Sequence, residues 1–308
     1  KESIYEFRDI YGVGKTRTGA LGDYNETITQ PQYLNLNIIS YNLQATQIIV
    51  KNDITFIKTI EKDVYSMGLN RHCQLGLENS DQNVTQRSPT KIKIQLIDDI
   101  SIGYDHSVMK TTRSDIYVVG NNEKGQFGDG TQVSSCNLQN VTEKLLLGTH
   151  NRFISAGKQT TLMVDVEGNV TAVGSNTYQK LGQLASVITT PVNFNQVYNI
   201  IQIAQEGDHI VMLASDGVVY GIGNNENNQL ILANQSSVNT PTIISNAIEI
   251  ATKHVIRIAT SQYATYMVMD EGTVFMSGSL SGTVDYRVFT SLGFENITSI
   301  TVANQFVM

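Results

Sequence analysis

The sequence predicts an all-β fold, a β-propeller of six repeats spanning residues 1–308 as a single domain. Three observations carry this. A strand ending in glycine recurs as IYGVG to Gly14, VYSMG to Gly68, IYVVG to Gly120, VTAVG to Gly174, VYGIG to Gly223 and VFMSG to Gly278, at spacings of 54, 52, 54, 49 and 55 residues. A turn-forming pair precedes each copy. All 4 prolines of the chain fall at one place in the repeat.

The glycine-ending strand is the central element. Four residues before the glycine stands Ile10, Val64, Ile116, Val170, Val219 or Val274, and the next position is aromatic at Tyr11, Tyr65, Tyr117, Tyr220 and Phe275, with Thr171 the exception. β-Branched and aromatic residues fit a pleated, half-buried surface, while the terminal glycine permits a positive φ or a close backbone approach. Upstream, Glu167-Gly168, Asp216-Gly217 and Glu271-Gly272 read as tight hairpin turns, with degenerate forms at Arg8-Asp9, Glu61-Lys62 and Arg113-Ser114. Before the turn comes an apolar strand beginning at Ile48, Ile100, Ile154, Ile203, Ile258 and Ile300.

After the glycine comes a loop, clearest in GLNRHCQLG, GNNEKGQFG and GSNTYQKLG, weaker in GKTRTGALG and GNNENNQLI, and nearly lost in GSLSGTVDY. Asn70, Asn122, Asn176 and Asn225 share its second position, where asparagine can adopt a left-handed conformation or bond the local backbone. Leu21, Leu75, Phe127, Leu181 and Leu230 are expected to pin the loop into the core. Pro31, Pro89, Pro191 and Pro241 follow, 17, 21, 17 and 18 residues beyond a glycine, as suits the first residue of a strand or an edge. Such a sheet cannot bury both faces unless neighbours pack on it. Register gives Ile300–Met308 and Ile4–Gly14 to one composite blade, so that pairing of the N- and C-terminal strands closes the ring.

These residues resemble the regulator-of-chromosome-condensation repeat, the RCC-like β-propeller family, whose pattern is an aromatic-x-x-Gly strand, then G-x-N-x-x-x-Q-L-G, then I-x-x-G-x-x-H. Gly68 to Gly76 and Ile100 to His106 carry it most clearly, and the likeness covers essentially the whole chain. The family's frequent tryptophan before the glycine is replaced by Val13, Met67, Val119, Val173, Ile222 and Ser277. Six repeats are visible where the family's propellers usually have seven, so the alternative is a seven-bladed propeller with one blade missing from this chain.

Composition limits the function classes. A net charge of −7 gives no general attraction to nucleic acid or anionic lipid, and no apolar run approaches the roughly 18 residues of a bilayer span. The reading is a protein partner, with no nucleic acid and no membrane span. The start at Lys1 and the end at Met308, within a strand, point to part of a larger polypeptide or assembly. Cys73 and Cys136 lie in unlike repeat positions without metal-ligand spacing, so free thiols are expected rather than a disulfide. Six N-x-S/T sequons occur, at Asn25, Asn83, Asn140, Asn169, Asn234 and Asn296, against about five expected by chance from 27 Asn and 53 Ser plus Thr.

No catalytic, cofactor or metal constellation is read from the residues. His106 and His209 share a repeat position with Ile54, Thr160, Ala264 and Phe306, which argues for a structural role. His150 and His254 have no triad neighbours, and the paired acids Asp98-Asp99 and Asp270-Glu271 fit strand faces and turns. The expected function is a non-catalytic scaffold presenting loops from one propeller face. Arg17, Arg71, His72, Lys124, Tyr178 and Lys180 are its candidate contacts, an interrupted basic arc suited to an acidic partner. Two alternatives stand beside it. The resemblance implies guanine-nucleotide exchange on a small GTPase, although no inter-glycine interval exceeds 55 residues to house a wedge insertion. The other is a secreted ligand or enzyme inhibitor.

Overall fold

A computed structural model of the chain describes residues 11–14, 28–33, 45–78, 84–145, 151–232, 235–246, 250, 252–279, 285–300, 302–303 and 306–307. It is an all-β propeller fold whose strands follow one another as antiparallel meanders. β1 (Tyr11–Gly14) pairs with β2 (Ile28–Tyr33). Four-stranded sheets follow: β3 (Ala45–Lys51), β4 (Ile54–Thr59), β5 (Val64–Asn70) and β6 (Val84–Lys91), then β7 (Ile97–Ile102), β8 (His106–Thr111), β9 (Ile116–Gly120) and β10 (Ser135–Asn140). The next are β11 (Asn151–Ala156), β12 (Thr160–Asp165), β13 (Val170–Ser175) and β14 (Val187–Asn193), and β15 (Ile200–Ala204), β16 (His209–Ala214), β17 (Val219–Asn224) and β18 (Ser237–Ile243). Last come β19 (Val255–Thr260), β20 (Ala264–Met269), β21 (Val274–Ser279) and β22 (Asp285–Ser291), and a short pair, β23 (Val302–Ala303) with β24 (Phe306–Val307). Among the described residues no helix is long and apolar enough to cross a membrane.

The segment expected as a single strand before each turn is two strands. At Ile100 the chain runs through β7, breaks at Gly103–Asp105 and returns as β8. The turns fall where the sequence puts them. Gly168, Gly217 and Gly272 have φ of +83°, +85° and +80°, and in the degenerate copies Lys62 and Ser114 take the same left-handed position at +63° and +67°.

The anchor glycine has one job in every four-stranded sheet. Gly68, Gly120, Gly174, Gly223 and Gly278 lie opposite Ile54, His106, Thr160, His209 and Ala264, the first residues of the second strands. Their φ values run from +93° to +115°, and a Cβ would stand 2.2–2.6 Å from the carbonyl oxygen of Asp53, Asp105, Gln159, Asp208 or Tyr263. That same oxygen accepts the N–H of the residue after the glycine, for example Ser175 N to Gln159 O at 2.8 Å. Only a residue without a side chain lets the two backbones close this far.

The same point explains the prolines. Where the third strand meets the fourth, the register slips at the glycine: Ala172 pairs with Val192 but Gly174 with Ile188, which leaves Pro191 in a bulge. Pro31, Pro89 and Pro241 sit in the equivalent bulges of β2, β6 and β18. These strands lie at sheet edges, so a missing N–H costs no ladder bond there. The prolines mark the edge bulge, not a strand start.

The described residues form two compact units, 1–122 with 133–142, and 123–132 with 143–308. The core of the first is Ile54, Phe56, Val64, Leu75, Ile92, Ile97, Ile102 and Met109. In the second, Leu162, Val170, Leu181, Ile200, Ile210 and Ile222 pack as one cluster, and Val211, Leu230, Val255, Met267 and Phe289 belong to another. Segment 123–132 belongs with the second unit because it lies on strands there: Thr161 Oγ1 donates to Gln126 O at 2.7 Å and Gly130 N to Thr189 O at 2.9 Å. The expected ring closure runs through residues outside the described set at both termini.

One expectation is overturned in the first unit. Cys73 and Cys136 are not free thiols but a disulfide, with Cα atoms 4.8 Å apart. Cys136 opens the β10 bulge, whose last residue, Leu138, stands where four other copies have proline, and the loop bearing Cys73 reaches that bulge. Unlike positions in successive repeats are therefore neighbours in space.

Candidate functional site

The loops that leave β5, β9, β13 and β17 share one construction. Each begins with a buried asparagine, Asn70, Asn122, Asn176 or Asn225, and four residues later has a second buried polar residue, Gln74, Gln126, Lys180 or Gln229. The asparagine Oδ1 accepts the N–H of Leu75 at 3.0 Å, Leu181 at 2.7 Å and Leu230 at 2.8 Å in three of them. Its Nδ2 donates onward, from Asn176 to Gln183 O and Ala185 O at 2.7 Å each, and from Asn225 to Leu232 O at 2.9 Å and Gln235 O at 2.8 Å. The glutamine Oε1 accepts the backbone N–H two residues before it, His72 at 2.7 Å, Lys124 at 3.0 Å and Asn227 at 2.9 Å. Leu75, Phe127, Leu181 and Leu230 lie in the core as expected.

Each frame faces two adjacent side chains outward. They are Arg71 and His72, Glu123 and Lys124, Thr177 and Tyr178, and Glu226 and Asn227. The residue after each pair, Cys73, Gly125, Gln179 or Asn228, has φ between +54° and +70°. In the three glutamine loops the side-chain amides hold backbone groups of the turn, and members of the outward pairs make contacts of their own: Thr177 Oγ1 lies 2.9 Å from Ser175 Oγ and Glu226 Oε2 accepts from Asn224 Nδ2 at 3.4 Å.

Of the candidate contacts, Arg71, His72 and Lys124 are exposed and Tyr178 is half-buried. Tyr178 donates its hydroxyl to Glu226 Oε2 at 3.0 Å, and this bond to a carboxylate, with some burial, raises the phenol's pKa. Arg17 lies outside the described residues. Lys180 is a correction: expected on a solvated rim, its side chain is 1 % exposed. Nζ reaches Asp208 Oδ1 at 3.0 Å and Lys158 O at 3.2 Å, and Lys158 Nζ holds Asp208 Oδ2 at 2.8 Å. Burial lowers the Lys180 pKa against the pull of Asp208. On Asp208 burial acts upward, but Lys180 and Lys158 outweigh it and hold the carboxyl low. The sequence did carry the signal, since Lys180 stands where the other loops have the glutamine of Q-L-G.

That exchange reshapes its loop. Lysine cannot accept a hydrogen bond, so the acceptor that glutamine offers to the N–H two residues back is gone. At that residue Tyr178 takes φ +59°, inside a 3₁₀ turn over Thr177–Gln179. Farther along, Leu184 stands between the two carbonyls held by Asn176 and is 96 % exposed. Sequence reasoning missed it, because nothing in the repeat pattern separates an outward leucine from a core one.

The two histidines that share one repeat position are interior. His106 and His209 are fully buried, and His209 Nε2 lies 3.1 Å from Thr265 Oγ1. Burial pushes the His209 pKa down to about 4, so it is a neutral core residue.

Residues 62–109 match the Regulator of chromosome condensation (RCC1) repeat, and residues 97–126 match a second profile of the same description. The chain carries RCC1 repeats. Protein pim1 of Schizosaccharomyces pombe is 25% identical over 260 residues, 77% of this chain and 47% of that protein. A human RCC1-like G exchanging factor-like protein is 26% identical over 208 residues, 58% of this chain and 42% of that protein. The chain spans about half the length of the curated relatives it matches first. Among solved RCC1-type structures, human WBSCR16 superposes with a TM-score of 0.77 at 19% identity, covering 92% of this chain and 75% of that one. Prp20p from Saccharomyces cerevisiae, described with its binding to Gsp1p and histones, gives 0.75 at 17% identity over 92% of this chain and 72% of its own. At these identities the structures establish the fold of the RCC1 repeats and nothing further.

Proposed function

We propose that this chain is a non-catalytic protein-binding module whose contacts are made by the outward pairs of the RCC1-repeat loops. One observation carries the reading: each loop buries an asparagine and a glutamine or lysine and turns an adjacent pair of side chains outward, with Arg71, His72 and Lys124 exposed. Rigid scaffolds with interchangeable tips recognise partners in this way. Arg17, Arg71, His72, Lys124 and Tyr178 are the proposed contacts, and Leu184 adds an apolar one. Lys180 serves as the buried anchor beneath Tyr178. Basic tips on a protein of net charge −7 favour an acidic partner surface, acting within a Debye length of about 8 Å.

Charge reversal tests it. Arg17, Arg71 and Lys124 changed together to glutamate should leave the melting temperature unchanged and lower partner recovery. Reversing Glu167 and Glu271 on the hairpin turns should leave recovery intact, and the opposite pattern would move the interface to that face. Guanine-nucleotide exchange is the second reading, favoured by the likeness to the human exchanging-factor-like protein. Accelerated nucleotide release from a small GTPase on adding this chain would select it.

A further inference from the structure

We propose that Asn140 is an acceptor for an N-linked oligosaccharide, a modification of the β10 edge that goes beyond the binding reading and does not depend on it. The sequon Asn140-Val141-Thr142 is folded into an acceptor geometry. Asn140 Oδ1 accepts both the backbone N–H of Thr142 at 3.0 Å and its hydroxyl at 2.6 Å. Both bonds use Oδ1, and the residue is exposed.

Three features hold it there. Val141 is buried at 3 % exposure and gives its N–H to Ile116 O at 2.9 Å, which turns its neighbour Asn140 outward. The Thr142 hydroxyl accepts the N–H of Ile116 at 2.8 Å, which fixes the rotamer that reaches back to Asn140. β10 is the edge of its sheet and Asn140 is exposed, so a glycan extends into solvent. The other described sequons differ. Asn169 Nδ2 already donates to Asp165 at 2.9 Å and Glu167 at 3.3 Å, and Asn296 sits at φ +60°.

A second observation on the same strand points to the compartment where this chemistry occurs. Cys136, four positions before Asn140, is disulfide-bonded to Cys73 across 63 residues of sequence. Disulfides persist in oxidising compartments, and N-glycans are added to secreted chains on surface sequons.

In the transfer, Asn140 Nδ2 attacks the anomeric carbon of a lipid-pyrophosphate-linked oligosaccharide. The Nδ2–carbon bond forms and the carbon–oxygen bond to pyrophosphate breaks. The lipid pyrophosphate leaves with the electron pair, and a base on the transferase takes the amide proton.

The test is made on the full chain isolated from the cells that naturally express it. Its peptides are released with peptide N-glycosidase in heavy-oxygen water and read by mass spectrometry. The expected result is conversion of residue 140 to labelled aspartate in most copies, with Cys73 and Cys136 resistant to alkylation until reduced. Asn140→Gln, passed through a eukaryotic secretory pathway, should fold and lose the mass of one glycan, since its only lost contacts are to Thr142. An unmodified residue 140 in the natural protein overturns the proposal. So does glycan confined to Asn169 or Asn296, or free alkylation of both cysteines in the unreduced protein.

Discussion

At the scale of single residues, the strongest statement concerns the anchor glycines. Gly174 and Gly293 both have positive φ, +113° and +71°, but a Cβ on Gly174 would meet Gln159 O at 2.3 Å while one on Gly293 meets nothing within 4 Å. Gly293→Ala should cost about 1 kcal/mol, the ordinary left-handed penalty. Gly174→Ala should cost more than about 3 kcal/mol, because backbone must move as well. Urea denaturation of the two variants separates the causes, and equal losses would show that φ alone sets the requirement. His209 gives a pH signature. With its pKa at about 4 when folded and about 6.5 when unfolded, the unfolded chain binds more protons between these values. Stability is then fully present above pH ~6.5 and lost as pH falls toward ~4, by about 3 kcal/mol from this group. His209→Gln should flatten that acid limb in denaturation midpoints taken across the range. An unchanged limb would mean that other groups produce it.

At the scale of elements, glycine, turn and proline positions were legible because each answers a backbone demand that recurs in every sheet. The turns at Lys62 and Ser114 were legible even in degenerate form, since the hairpin spacing held while the preferred residue was lost. What was not legible depends on neighbours in space. Cys73 and Cys136 sit in different repeat positions, and only the reach of a loop onto the following bulge brings them together. Lys180 read as a surface cation because charge is its commonest meaning, yet the slot it fills is the buried glutamine slot of the other loops. The break at Gly103–Asp105 was legible in principle from its glycine and aspartate, but a single strand was read across it. The disulfide carries an element-scale prediction. Closing a 63-residue separation should contribute about 4 kcal/mol through the unfolded chain, so the Cys73→Ser, Cys136→Ser double variant should unfold at markedly lower denaturant. A midpoint equal to that of the parent protein would remove the bond from the stability account.

At the scale of the whole molecule, the loops after β5, β9, β13 and β17 each combine a buried asparagine frame with an outward pair of side chains. The sequence disclosed the repeats and hence the fold, and the repeat register also marked the buried slots, but residue type alone hid Lys180 among the solvated cations. The direct measurement is made on one variant in which the outward pairs Arg71-His72, Glu123-Lys124, Thr177-Tyr178 and Glu226-Asn227 are all replaced by serine, with thermal unfolding and partner binding read from the same preparation. The account predicts a melting temperature within roughly 4 °C of the parent, reflecting loss of the side-chain contacts that Glu226 makes with Tyr178 and Asn224, together with loss of binding. A fall as large as that caused by Asn225→Ala, or undiminished binding, would contradict it.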